Sequence, residues 1–282
     1  MRVARSRHPE YAHLWTADIP GVELFQAHLV RHRFGKHFHE SYTIGFNDGG
    51  QGYCDYRGER LLNHRGNFNL LNPGEVHTGA ADAPEGWWFR NLYLSIPLVE
   101  QSLAQINQSC RGLPSLKIPT ARDAQLEQAF NQLFQALAQP THRLAQQSCL
   151  LALIARLFDA GETVPRRGNE TVVIATVCTY LETHYAEDTS IEDLANRVGL
   201  SPFYLIRSFR QQMGLPPHSY QRQIRLLRAK RALATDQPLS EIALATGFYD
   251  QSHLNRVFKQ AFATTPGQYR QRCRQGSSVQ DA

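Results

Sequence analysis

Two groups of residues in this sequence could do chemistry at a recognisable spacing. The first is a set of imidazoles: His37 and His39 in "KHFHESY" (36–42) and His77 in "NPGEVH" (72–77). Residues two apart on a strand share a face, so His37 and His39 point together. Three imidazoles could hold a metal such as iron or zinc. No carboxylate near them in that segment shares their face. Glu40 follows His39 directly and faces the other way, and no acid lies between Ser41 and Asn47. The expectation is therefore polar side chains lining a pocket, with no metal, no cofactor and no catalytic residue. The second group lies in "LIRSFRQQMGLPPHSY" (205–220) and "LNRVFKQAFATTPGQY" (254–269). Leu, Arg, Phe, Gln, Pro and Tyr recur at matching places, and Lys259 answers Arg210. Arginine can grip a guanine edge with two hydrogen bonds, and Asn or Gln can do so to adenine.

The elements that must position this second group follow from extending both copies upstream, to "LANRVGL" (194–200) and "IALATGF" (242–248). Ala195 and Ala243, like Gly199 and Gly247, are 48 apart, while Leu205 and Leu254 are 49 apart. Each copy reads as a short helix with a small Ala, a Gly turn and a second amphipathic helix: a helix-turn-helix. Ser201 is a cap and Pro202 a first-turn proline, which fixes where the second helix of the first copy starts. Leu205, Phe209 and Met213 form one stripe and should be core, leaving Phe203, Ile206, Arg207 and Arg210 off it. In the second copy Leu254, Val257, Phe258 and Phe262 are the expected core, leaving Gln251, Ser252, Asn255 and Arg256 outward. Helix N-terminal halves are the parts that reach base edges in such motifs. Between the copies, "HSYQRQIRLLRAKRALA" (218–234) reads as one long basic helix, with Arg225 and Arg228 expected to reach phosphates. A plain helical repeat would not place its basic residues in this way.

Charge and composition agree. The length of 282 residues suggests two domains, and the composition excludes a disordered or fibrous chain. From Arg197 to Arg274 there are 13 Lys or Arg against three acids, so the remainder is net −5 in a chain of net +5. A basic C-terminal segment on a slightly acidic remainder suggests a polyanionic partner. The start "MRVARSRHPEYAH" lacks a following apolar core, and "CLLALIA" (149–155) is too short to span a bilayer. A soluble, cytoplasmic protein with no membrane partner is expected. Cys54, Cys110, Cys149, Cys178 and Cys273 are odd in number and scattered, which suggests free thiols.

The fold class expected is α+β in two domains. Residues 1–160 form the first, with a β-barrel over about 1–97 and helices over about 98–160. Its short strand-like runs include "YTIGF" (42–46) and "WWFRNLYLSI" (87–96), with turn signals at Asp48-Gly49-Gly50 and Asn72-Pro73-Gly74. A helical hairpin follows, carrying Leu126, Phe130, Leu133 and Leu137, then Leu144, Leu151, Ile154 and Phe158 after a break at Gln139-Pro140. Leu144, Leu151 and Phe158 are seven apart, as a dimer seam would be, although packing on the chain's own barrel explains them as well. A linker (161–169), an all-α domain (170–275) with two helix-turn-helix units joined by a long helix, and a tail (276–282) complete the chain.

Residues 190–271, with "LANRVGLSPFYLIRSFRQQMGLPPHSYQRQIRLLRAKRAL" and "EIALATGFYDQSHLNRVFKQAFATTPGQYR", closely resemble the AraC/XylS family of bacterial transcription regulators. The resemblance implies two recognition helices in successive major-groove segments of promoter DNA. Base contacts would fall to Phe203, Ile206 and Arg207, then to Gln251, Ser252, Asn255 and Arg256, with Ser201 and Arg210 completing the DNA-facing set. Ile206 stands where a polar residue is common, so it would meet a thymine methyl or track the backbone. The front half is similar to cupin-like sensors of that family, which implies a small-molecule effector inside the barrel. Strand parity and aromatic content nominate His37, His39, Tyr42, His77 and Trp88 as its lining. A homodimer that works with RNA polymerase, as an activator or a repressor, is implied. The alternatives are a metal-dependent cupin enzyme fused to a DNA-localising domain, and an architectural DNA binder without a ligand.

Overall fold

The computed structural model describes residues 9–106, 113–116, 123–138, 143–163 and 172–277. The chain divides into two units: residues 1–164 with 262–264 and 271–282, and residues 165–261 with 265–270.

The first unit is built on a curled antiparallel sheet of β1 (Tyr11–Thr16), β2 (Val22–Leu29), β3 (Arg33–His37), β4 (Tyr42–Tyr56), β5 (Glu59–His64), β6 (Phe68–Leu71), β7 (His77–Ala81) and β8 (Trp87–Leu94). The strand order is β1-β2-β8-β4-β7-β3, with β5 and β6 also paired to β4. The long strand β4 is the spine. Its first half pairs with β6 and β8 and its second half with β5 and β7.

Asp48-Gly49-Gly50 is therefore not a turn. It is a bulge inside β4, where the register against β8 shifts between Asn47 and Gly49. Gly50 has φ +68°, and a Cβ there would lie 2.0 Å from the Gly86 carbonyl oxygen. The bulged Asp48 grips Arg90 with both carboxylate oxygens, at 2.7 and 2.5 Å. Asn72-Pro73-Gly74 does turn the chain, with the Glu75 N–H donated to the Asn72 carbonyl at 3.3 Å.

Directly paired residues share a sheet face. Tyr42, Ile44 and Phe46 lie opposite Leu94, Leu92 and Arg90, and Val22 and Leu24 lie opposite Leu94 and Leu92. This face packs under α1 (Ile96–Gln105), α2 (Ala124–Ala138) and α3 (Arg143–Leu157). Phe130 of α2 is its most central ring, fully buried against Phe46, Phe68 and Phe134. The other face carries Thr43, Gly45 and Asn47 opposite Tyr93, Asn91 and Phe89, with Phe25, Ala27 and Leu29 alongside.

The expected helical hairpin is present as α2 and α3, and its break at Gln139-Pro140 lies outside the described residues. The helix does not carry through Phe158. Strand β10 (Phe158–Thr163) takes over there and pairs with β9 (Pro114–Leu116), so it includes the first residues of the expected linker. Residues 164–171 lie outside the described set.

The remaining described residues form helices and their connections: α4 (Val172–Thr183), α5 (Ile191–Arg197), α6 (Pro202–Met213), α7 (Pro217–Ala232), α8 (Leu239–Ala245), α9 (Gln251–Phe262) and α10 (Pro266–Ser277). The two repeats are α5–α6 and α8–α9, with α7 between them. Ser190 caps α5, accepting the Asp193 N–H at 3.0 Å. The turn glycines Gly199 and Gly247 have φ +67° and +80°. The repeated tyrosines do the same work in each copy. Tyr220 sits edge-on to Phe209 at 5.5 Å, and Tyr269 tilts over Phe258 at 5.9 Å. Each anchors the buried Phe of the second helix of its repeat to the helix that follows. Among the described residues Cys54 and Cys178 are buried, and Cys149 and Cys273 half-buried, all as free thiols.

Candidate nucleic-acid interface and ligand site

Helix α6 starts where its sequence dictates, with the Ser201 hydroxyl accepting the Tyr204 N–H at 3.3 Å and Pro202 in the first turn. Asp250 does the same for α9, accepting the His253 N–H at 2.6 Å. Leu205, Phe209 and Met213 turn inward on α6, as Leu254, Phe258 and Phe262 do on α9. Val257 is only half-buried.

The opposite faces are open. Ser201, Phe203, Ile206, Arg207 and Arg210 are exposed on the first, with Phe203 76% accessible. Gln251, Ser252 and Arg256 are exposed on the second, and Asn255 is half-buried. Tyr204 and Tyr249, the latter 85% accessible, are exposed beside these sets.

Arg225 was expected to reach phosphate, and the structure gives its side chain other partners. Its guanidinium is committed to three backbone carbonyls: Nε to Tyr185 at 2.6 Å, Nη1 to Gly247 at 2.8 Å and Nη2 to Glu187 at 2.8 Å. A side chain with five donors in a rigid fork fits such a cluster of acceptors. Gly247 is required by this arrangement, since a Cβ there would stand 2.8 Å from Arg225 Nε and 2.9 Å from Ala186. Arg228 is exposed, with its guanidinium 5.3 Å from the centre of the Tyr185 ring.

In the first unit the three histidines do converge. His37 ends β3 and His77 starts β7, where the two are directly paired. His39 lies just past β3, and its carbonyl accepts the Gly74 N–H at 2.7 Å, tying that segment to the turn before His77. Ring centres are 4.2 Å apart for His37–His77, 4.9 Å for His37–His39 and 5.1 Å for His39–His77. Burial holds the His37 imidazole below its ordinary pKa, and pushes His77 down to about 3 with help from neighbouring His37. Both rings are therefore neutral at neutral pH.

Two other residues expected in this lining do not join it. Tyr42 belongs to the helix-packed face. It is fully buried, donates its hydroxyl to the Pro114 carbonyl at 2.6 Å and meets Phe158 edge-on. Trp88 is on that same face of β8 by alternation and stacks on His28 at 4.0 Å. The sheet face that the histidines share is instead continued by Tyr93, 4.9 Å from His39, and by a run of rings from His37 through Phe34, Phe25 and Phe89 to Trp87. Thr43 Oγ1 and Trp87 Nε1 are buried there with no hydrogen-bond partner among the described residues.

The three residues of the expected dimer seam do not share one surface. Leu144 is 76% accessible, Leu151 is half-buried, and Phe158 is buried in the core of its own unit. Phe158 leaves the seam because β10, not α3, contains it.

Comparison with known proteins places these observations. Residues 19–154 match the AraC-like ligand binding domain, and residues 194–272 match a helix-turn-helix domain. An uncharacterized HTH-type transcriptional regulator, YbfI of Bacillus subtilis (strain 168), is 28% identical over 239 residues, covering 83% of this chain and 86% of that protein. The HTH-type transcriptional activator RhaS of Citrobacter koseri is 24% identical, covering 86% and 90%. The arabinose operon regulatory protein of Salmonella typhimurium is 26% identical, covering 83% and 85%. An apo ToxT variant from Vibrio cholerae shares the fold with a TM-score of 0.56 at 12% identity, over 91% of this chain and 99% of that one. Among the described residues no helix is long and apolar enough to cross a membrane. With a ligand-binding domain matched ahead of a helix-turn-helix domain, the chain belongs to the AraC family of transcription regulators.

Proposed function

We propose that this regulator reads a bipartite promoter site through α6 and α9, and that a small molecule held on the inner face of the curled sheet controls it. The observation that carries the DNA half is the pair of capped helices, each with a buried stripe behind and exposed polar or basic residues in front. Phe203, Ile206 and Arg207 read one segment, and Gln251, Ser252, Asn255 and Arg256 read the other. Ser201 and Arg210 contact the backbone. The relative RhaS is a transcriptional activator, and the same output is proposed here, with RNA polymerase as the partner in the cytoplasm.

The sensing half rests on the inner face. His37, His39, His77, Tyr93 and Trp87 line it, and the buried Thr43 hydroxyl and Trp87 N–H suit a ligand with an acceptor oxygen on an apolar body. A ToxT structure from Vibrio cholerae, with a TM-score of 0.50 to this chain, holds an unsaturated fatty acid. A homodimer would form through α3, with Leu144 and Leu151 contributing.

The test is selection of binding sites from random duplex DNA by the full-length protein. The expected result is a motif in two separated parts. Arg256→Ala should cost about 1–3 kcal/mol at that site and relax preference at one base position in one part only. Binding with no base preference, or a variant with unaltered affinity and preference, would overturn the assignment.

A further inference from the structure

We propose that His37, His39 and His77 form a binding site for a divalent transition-metal cation of the zinc class. This goes beyond the regulator reading and stands apart from it, since a metal could serve folding, sensing or both.

The geometry is specific. The three side chains come from β3, the segment after it and the start of β7, and one ligand atom from each lies within 4.8 Å of the others. Nitrogens on a tetrahedral ion with bonds of 2.0–2.1 Å stand about 3.4 Å apart, so the widest separation in the set must shorten by up to about 1.4 Å when an ion binds.

The tautomers are also set correctly in two of the three. His37 Nδ1 is 2.8 Å from the Gly35 carbonyl, and His77 Nδ1 is 2.9 Å from the Glu75 carbonyl. A carbonyl only accepts, so each Nδ1 carries the proton and each Nε2 carries the lone pair. A backbone carbonyl behind a ligating imidazole is the usual outer support of a metal-bound histidine, because it fixes ring orientation and raises ligand basicity.

The ligand set is all nitrogen. The adjacent carboxylate, Glu75, is held elsewhere: it accepts from the Tyr56 hydroxyl and the Arg57 guanidinium with Oε1, and from the Asn72 N–H with Oε2. Three neutral imidazoles favour zinc, copper, nickel or iron over calcium or magnesium. Three protein ligands also leave a position for water or an exogenous donor.

The experiment uses the full-length protein, stripped with a chelator and titrated with Co²⁺ by visible absorption, followed by displacement with Zn²⁺. One saturable equivalent with ligand-field bands is expected, and Zn²⁺ should abolish those bands. His39→Ala and His77→Gln should each weaken binding more than about 100-fold, beyond the loss typical of an outer-shell partner. His64→Gln, at an exposed position outside the cluster, should leave it unchanged. Circular dichroism of each variant reports folding. Should the buried His77 variant unfold, the half-exposed His39 variant decides alone. Absence of a stoichiometric site, or full binding by folded His39→Ala, would overturn the proposal.

Discussion

Replacing Phe130 by Ala should destabilise the sheet-and-helix unit by about 3–5 kcal/mol. The ring is fully buried between α2 and the outer sheet face, 5.6 Å from Phe46, 5.7 Å from Phe68 and 5.9 Å from Phe134. Truncation removes those contacts and opens a cavity that three other aromatic rings cannot all collapse into. It also strips one wall from Arg90, whose guanidinium lies 5.4 Å from the Phe130 ring centre and 4.9 Å from that of Phe134. Arg90 stays paired to Asp48 and donates to Asn131 at 2.8 Å, so the charge is held while its apolar surroundings are lost. Denaturant unfolding followed by tryptophan fluorescence isolates this unit, because Trp15, Trp87 and Trp88 all lie within it. A loss under about 1 kcal/mol would mean the seam repacks and that Phe130 is not its centre.

The second large effect is expected at Arg225. Arg225→Ala leaves the carbonyls of Tyr185, Glu187 and Gly247 without their shared donor. A hydrogen bond to a charged donor contributes about 1.5–3 kcal/mol. Water can replace part of that at a half-buried site, so a net loss of about 3 kcal/mol is expected. Arg225→Lys should recover less than half, because a single ammonium cannot reach three acceptors arranged for a planar fork. Far-ultraviolet circular dichroism during denaturation measures both. Salt dependence of DNA binding separates this role from a phosphate contact. Arg228→Ala should lower the salt slope by about 1, whereas folded Arg225→Lys should leave it unchanged. A lowered slope with unaltered stability in the Arg225 variants would reverse the assignment.

The helical half was legible from sequence because its information is local. Caps, turn glycines and the apolar stripes of α6 and α9 all lie within a few residues of what they determine, and the repeat supplies them twice. What was not legible depends on partners far along the chain. Arg225 finds its acceptors 40, 38 and 22 residues away, so its basic character suggested solvent and phosphate. In the sheet, Asp48-Gly49-Gly50 has the composition of a turn, yet the pairing of β4 with β8 on both sides of it makes it a bulge. Faces on either side of such a bulge cannot be followed by counting alone. The chain also leaves the sheet between His37, which ends β3, and Tyr42, which begins β4, so strand parity does not carry from the histidines to Tyr42. The convergence of His37, His39 and His77 is legible from type and spacing, because two short segments carry them.

Strand β8 is a partition one peptide thick. Tyr93, Asn91 and Phe89 look to one side of it, and Leu94, Leu92 and Arg90 look to the other, beneath the helices. Neighbouring residues share a rigid amide plane, so a shift of the backbone at Tyr93 would tilt Leu92 and Leu94 as well, whereas a turn of the Tyr93 ring alone would not. A molecule on one side would therefore reach the helical layer only by moving the strand itself.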